Sequence, residues 1–198
     1  MTLITSISGI RGTIGGMVGD SLSPVDIVRF TTAYANFIKS KQNSIVSTSI
    51  EYKNTIVIGR DARISGLMVR NIVSGVLMSC GLNVKDLGLS TTPTVEMAVV
   101  LEKAAGGIII TASHNPKQWN ALKLLNNKGE FLSSEDGNKI LSFAKKENYL
   151  YDKVDFLGNY IKIDNYNDIH INKILNLSLV DVDLINYVHL GYALVKEQ

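Results

Sequence analysis

The densest chemistry in the sequence lies at Thr111-Ala112-Ser113-His114-Asn115-Pro116, a polar run that follows the apolar stretch Gly107 to Ile110. A serine hydroxyl exposed at the end of a buried strand, beside His114 and Asn115, can accept a phosphoryl group covalently. The same residues also make a good turn, in which Pro116 fixes the backbone and the serine only bonds its neighbours. A hydrolase triad is disfavoured: there is no Gly-x-Ser-x-Gly elbow, and His114, as the adjacent residue, is badly placed to hold the serine proton in line. Gly59-Arg60-Asp61-Ala62-Arg63 sets two arginines around one carboxylate, which reads either as an ion-pair lock on a loop or as a phosphate contact. The glycine-rich start, Gly9 to Gly16, has neither a Walker lysine nor a dinucleotide fingerprint opening a helix. Arg11, Arg60, Arg63, His114 and Lys123 supply cations and proton donors suited to a phosphorylated ligand, and glycines such as Gly12 allow close backbone approach. Trp119 serves as a packing anchor or as a sugar platform. His170 and His189 have no ligand spacing around them.

These residues need elements to position them, and the chain alternates strand and helix patterns. Leu3 to Ser8 reads as a strand that runs into a glycine-rich loop. Ser23, Pro24 and Asp26 spell a capping box with proline at the first helical position, and the apolar residues from Val25 to Ile38 predict the helix that follows. The polar stretch Lys39 to Asn54 reads as an exposed loop. Thr55 to Ile58 predicts a strand, and Leu67 to Cys80 a helix closed by Gly81. Leu82 to Leu87 is a third strand, and Thr91 or Thr92 with Pro93 opens another helix. The continuous apolar run Gly107 to Ile110 suits a strand buried on both faces of a mostly parallel sheet. Ala121 to Leu125 is a further strand, Asn126 to Gly129 a turn, and Ser133 or Ser134 starts a helix ending near Lys146. Ligands of open α/β sheets gather beyond the carboxyl ends of the strands. The stretches Ser8 to Gly12, Gly59 to Gly66, Ser90 to Thr94 and Thr111 to Asn120 all follow predicted strands, so four loops are expected at one sheet edge.

Composition narrows the partners. With 20 Lys and Arg against 18 Asp and Glu, the net charge of +2 gives little field for generic nucleic-acid or membrane binding. The single cysteine, Cys80, makes neither an internal disulfide nor a multi-cysteine metal site, which fits a reducing, cytoplasmic setting. No apolar run reaches the ~18 residues of a spanning helix. Beyond residue 150, polar residues alternate with isolated apolar ones. Only Ile169 to Leu179 has helical periodicity there, and Tyr187 to Val195 reads as the start of a new element. Residues 1–150 are therefore expected to form an α/β domain, and residues 151–198 a connector with the truncated start of a second domain.

Gly107 to Pro116, followed by Asn120 and Lys123, resembles the phosphoserine loop of the α-D-phosphohexomutases. Ser6-Ile7-Ser8-Gly9-Ile10-Arg11-Gly12 resembles the N-terminal loop of that family, and Gly59 to Gly66 resembles its Gly-Arg-Asp-x-Arg-x-Ser-Gly segment, in the same order. The ends of these motifs are most similar to the bacterial phosphoglucosamine mutase branch, with the phosphomannomutase and phosphoglucomutase branches close behind.

The resemblance implies the first of four domains, a three-layer α/β/α sandwich around a mostly parallel mixed sheet. It implies that Ser113 carries the phosphoryl group to a hexose phosphate and takes the other phosphate back from a bisphosphorylated intermediate. By the same resemblance Lys123 is a general acid or base, Arg11 lies near the reacting phosphate, and His114 and Asn115 shape the loop. Gly12, Arg60 and Arg63 are expected as phosphate or substrate contacts. Mg²⁺ is expected on a phosphoserine oxygen of Ser113 and on three aspartates of an Asp-Gly-Asp-Gly-Asp-Arg segment, which these 198 residues do not contain. The chain alone is accordingly expected to lack turnover. The expected partners are a hexose phosphate and either a second copy or a full-length mutase. A non-catalytic module that binds sugar phosphate or docks on a partner remains the alternative. Ala121 stands where many members have glycine.

Overall fold

The computed structural model describes residues 1–6, 9–44, 53–147 and 149–184. Two compact units divide at Asp164 and Asn165. The first begins with a hairpin of strands β1 (Ile4–Ser6) and β2 (Gly9–Thr13), followed by helix α1 (Pro24–Ser44). Strand β3 (Lys53–Arg60), helix α2 (Gly66–Ser79), strand β4 (Asn83–Leu89), helix α3 (Thr92–Leu101) and strand β5 (Ala104–Ile110) then alternate. Strand β6 (Trp119–Leu125), helix α4 (Ser134–Lys146), a 3₁₀ turn at Val154–Phe156 and strand β7 (Tyr160–Lys162) complete it. The second unit contributes helix α5 (Tyr166–Leu175).

The strands form one sheet in the order β1-β2-β6-β5-β3-β4-β7. The pairs β5–β3, β3–β4 and β4–β7 are parallel, and β1–β2, β2–β6 and β6–β5 antiparallel. Five strands thus point one way, and β1 and β6 oppose them, which makes the sheet mixed and mostly parallel as expected. The apolar residues of α1, α2 and α4 pack with Ile56, Ile58, Ile108, Ile110 and Leu122 on one face. Helix α3 covers the other, and it sits close because β3 and β5 present glycines to it. A Cβ on Gly59 would lie 2.5 Å from Val95 Cγ2, and one on Gly107 2.7 Å from Val99 Cγ2. Strand β5 is buried throughout, as its unbroken apolar run requires.

Helix α1 starts as its capping box dictates. The Asp26 backbone N donates to Ser23 Oγ at 3.3 Å and the Ser23 N donates to Asp26 Oδ2 at 3.4 Å. Its buried Tyr34 hydroxyl donates to the Leu125 carbonyl at 2.7 Å, tying helix to sheet, and burial pushes the phenol far above its ordinary range.

Two expectations change. The glycine-rich stretch after β1 is not a loop: Gly9–Thr13 is a strand paired on both sides, because Ile10 needs the core and its neighbours supply both ladders. Lys39–Ser44 continues α1 instead of opening a loop, held from outside by the Lys39 Nζ bonds to the Cys80 carbonyl and to Asp152 Oδ2 at 2.8 Å. Past residue 150, β7 adds a parallel strand beside β4, and the first compact unit runs on to Asp164. Ile7, Ser8, residues 45–52 of the expected loop and the element expected at Tyr187 to Val195 lie outside the described residues. Among the described residues, no helix is long and apolar enough to cross a membrane.

Candidate functional site

Parallel pairing sets the site. Arg60 ends β3 opposite Ile110 at the end of β5, so the loops that follow leave the sheet side by side. The Asp61 N donates to the Ile110 carbonyl at 3.2 Å, and the Ser90 N donates to the Arg60 carbonyl at 3.0 Å, which brings in the loop after β4. Three of the four expected loops therefore meet. The fourth motif arrives as strand β2, with Arg11 paired to Ala121 and Gly12 to Asn120.

The β5–β6 connection is organised around Thr111. Its Oγ1 donates to Asp61 Oδ2 at 2.6 Å and accepts from the Ser113 N at 3.0 Å. Ser113 is exposed and sits at φ +55, in the left-handed region that a residue with a Cβ seldom enters. Its Oγ makes no hydrogen bond among the described residues, so the hydroxyl is presented to solvent rather than spent on the turn. The Asn115 N closes the turn onto the Ala112 carbonyl at 3.1 Å. His114 is exposed and has no hydrogen-bond partner among the described residues; Asn115 enters through its backbone.

Arg63 does not reach outward as a phosphate contact would. Its Nη2 donates to the Ser113 carbonyl at 2.6 Å and the Asn115 carbonyl at 2.8 Å. Its Nη1 donates to the Pro116 carbonyl at 2.9 Å and the Trp119 carbonyl at 3.1 Å, and its Nε to Asp61 Oδ2 at 3.1 Å. A guanidinium has five N–H groups, and all are engaged. Asp61 in turn accepts the Arg63 backbone N at 3.0 Å on Oδ1, so both oxygens of its carboxylate are engaged within the loop and its charge is paired with Arg63.

The other cations keep capacity. Arg60 spends one bond on the Asp61 carbonyl at 3.1 Å, and its buried Nε has no partner among the described residues. The Arg11 side chain is exposed on β2 with no ion pair or hydrogen bond among the described residues. Lys123, on β6, is half-buried with its Nζ 5.8 Å from the centroid of Phe131. Because Arg11 pairs with Ala121, Lys123 lies two residues further along β6 on the same sheet face. Gly12 has a structural reason: a Cβ there would lie 2.8 Å from the Leu22 N, so it is the close crossing of that segment that requires glycine. Trp119 lies at the start of β6, half-buried, and its carbonyl serves Arg63.

Two contributors escaped sequence reasoning. Thr111 stands out in the sequence only as part of the motif, although its position next to Ile110 at the strand end is where a hydroxyl can bridge two loops. Phe131 belongs to no motif. The signal for it is the turn Asn126 to Gly129: the Asn126 Oδ1 accepts from the Lys128 N and the Glu130 N, which brings the chain back so that Phe131 bridges to Leu125.

Among the described residues, no three of His, Cys, Asp and Glu come together as a metal site. Asp61 is the one carboxylate in the loop network, and its oxygens are held by Arg63 and Thr111. The donor set of these residues does not fit a complete Mg²⁺ site.

Residues 3–150 match the family described as phosphoglucomutase/phosphomannomutase, alpha/beta/alpha domain I. A phosphoglucosamine mutase of Natranaerobius thermophilus is 36% identical over 147 residues, covering 74% of this chain and 30% of that protein. A phosphomannomutase of Vibrio cholerae is 30% identical over 151 residues, covering 76% of this chain and 30% of that protein. A crystal structure of a phosphoglucomutase/phosphomannomutase family protein from Burkholderia thailandensis superposes with a TM-score of 0.67 at 19% identity, over 87% of this chain and 36% of that one; it speaks to fold alone. The chain spans 30% of the length of each of these two curated relatives.

Proposed function

Since the chain belongs to the phosphoglucomutase/phosphomannomutase family, we propose that it carries the phosphoryl-accepting domain of a phosphohexomutase. The substrate is a hexose phosphate, with glucosamine 6-phosphate first, in keeping with the phosphoglucosamine mutases among its relatives, and mannose or glucose phosphates after it. The observation that carries the reading is Ser113: an exposed nucleophile with an unbonded Oγ, held in a left-handed conformation at the mouth of a buried strand.

In the forward half-reaction, a sugar hydroxyl oxygen attacks the phosphorus on Ser113, and the bond from phosphorus to Oγ breaks. The sugar proton ends on Oγ, and the product is a hexose bisphosphate. After the bisphosphate turns around, Oγ attacks its other phosphorus, the bond from that phosphorus to the sugar oxygen breaks, and the Oγ proton passes to that oxygen, leaving the isomeric hexose phosphate and a phosphorylated Ser113. We assign the proton shuttle to Lys123 Nζ and the neutralisation of phosphate charge to Arg11 and Arg60. Phosphoryl transfer depends mainly on such positioning and charge stabilisation. Mg²⁺ belongs to the proposal as the metal of the whole enzyme, with the Ser113 phosphate as one ligand. The residues described here do not complete its site, and no step above runs through it. These 198 residues alone accept a phosphoryl group without completing the cycle. We assign the protein to the cytoplasm, where the free, buried thiol of Cys80 is at home.

The test is mass spectrometry of the tryptic peptide containing Ser113 after incubation with a hexose 1,6-bisphosphate. Phosphorylation is expected in the native chain and absent from Ser113→Ala, whose stability should stay within about 0.5 kcal/mol because the lost hydroxyl had no partner. An unmodified native peptide refutes the proposal. A Ser113→Ala chain that unfolds shows the serine to be a turn residue.

A further inference from the structure

We infer that Arg63 is a positioning residue for Ser113 and touches no phosphate during the reaction; this rests on Ser113 being the phosphoryl acceptor. The two arginines of Gly59-Arg60-Asp61-Ala62-Arg63 look equivalent in sequence, and the structure separates them. The Arg63 side chain is 11% exposed, and four of its N–H groups end on the carbonyls of Ser113, Asn115, Pro116 and Trp119. Those carbonyls belong to one loop, and a planar fork with five donors gathers them as no other side chain can. The fifth N–H meets Asp61, which also holds Thr111, which accepts from the Ser113 N. The network closes a ring around Ser113 from both its N–H and its carbonyl, with the Oγ left outside it. A residue that bonds its loop so fully has no donor left for a transferred phosphoryl group. Its effect on chemistry passes through the backbone angle at Ser113.

Lysine keeps the charge and loses the fork, so Arg63→Lys discriminates between the two roles. The 198-residue chain, Arg63→Lys and Asp61→Asn are compared by three readouts: amide hydrogen exchange at Ser113 and Asn115, binding of inorganic phosphate, and the rate of Ser113 labelling by hexose 1,6-bisphosphate. Asp61→Asn disturbs the ring from its other side, in case the arginine variant folds poorly. The expected result is at least tenfold faster exchange at both amides and at least tenfold slower labelling in each variant, with phosphate affinity within twofold of the native chain. Phosphate affinity lost in Arg63→Lys while exchange is unchanged would overturn the inference, as would full rescue of labelling by lysine. A native chain that is never labelled defeats the parent reading instead, and the exchange arm then decides the positioning role by itself.

Discussion

Replacing Tyr160 by phenylalanine should loosen the outer edge of the sheet without touching the phosphoryl loop. Asp86 on β4 is 1% exposed, and the Tyr160 hydroxyl donates to its Oδ2 at 2.6 Å. Arg70 Nη1 donates to that same hydroxyl at 2.9 Å, and its Nε lies 3.3 Å from the same carboxylate oxygen. Removing a hydrogen bond to a charged group costs about 1.5–3 kcal/mol. Asp86 keeps the Gly88 N at 2.9 Å and Arg70, so the loss belongs at the lower end, about 1.5–2 kcal/mol. For a chain of this size, one kcal/mol moves the melting point by about 2–4 °C, giving a fall of roughly 3–8 °C in Tyr160→Phe. Calorimetry reads that fall, and hydrogen exchange locates it: the Val84 N, bonded to the Asn159 carbonyl at 2.7 Å, and the Ile163 N, bonded to the Asp86 carbonyl at 2.8 Å, should exchange faster. Ser113 labelling should be unchanged. A melting point within about 1 °C of the native chain, with unaltered exchange at Val84 and Ile163, would refute the reasoning. Residues 151–164 would then be a connector that merely lies along β4.

Two other outcomes follow from groups on either side of the sheet. Phe131→Leu removes the ring facing the Lys123 ammonium, a contact of about 0.5–1 kcal/mol at an exposed site; labelling of Ser113 should slow about two- to fivefold, Phe131→Tyr should restore it, and equal rates in all three chains would remove Phe131 from the site. The buried Cys80 thiol is raised from its ordinary 9.0 to about 11, chiefly by burial, with the nearby Lys39 charge opposing. Its contribution to stability is complete below pH 9 and is lost as pH rises through about 11, so Cys80→Ala should flatten the alkaline decline measured by denaturant melts between those values.

Locally determined features could be read directly from the chain. The capping box at Ser23 and Asp26, the Thr91 cap of α3 accepting from the Thr94 N, and the Ser133 cap of α4 accepting from the Asp136 N all depend on residues within three positions. Features held from a distance were hidden. Lys39–Ser44 looks like a loop because it is polar, and what extends the helix there includes the ion pair of Lys41 with Asp136 at 3.0 Å, nearly a hundred positions away. Strand β7 is three exposed residues with no periodicity to detect, and it is anchored by Asp86, Tyr160 and Arg70 from three elements. Strand β2 carries two glycines in five residues, which reads as a turn until its partners on both sides are known.

The site divides along the same line. Which loops gather was legible for three of the four motifs, because those three follow β3, β4 and β5, parallel neighbours that end together. What each arginine does was not, because that depends on how many donors remain after folding. A left-handed serine costs about 1–2 kcal/mol over an ordinary backbone angle, and such strain persists only where surrounding bonds over-determine it. Thr111 and Arg63 supply those bonds at Ser113, one from each side of the residue. The cost of presenting the hydroxyl is therefore met by one threonine and by one arginine whose charge is paired with Asp61. In the proposed function, the charge that a phosphate meets is assigned to residues left out of the ring, namely Arg11, Arg60 and Lys123. In the proposed reaction, a loop held by its own cation and a ligand met by different ones would let the nucleophile stay fixed while the sugar phosphate turns around.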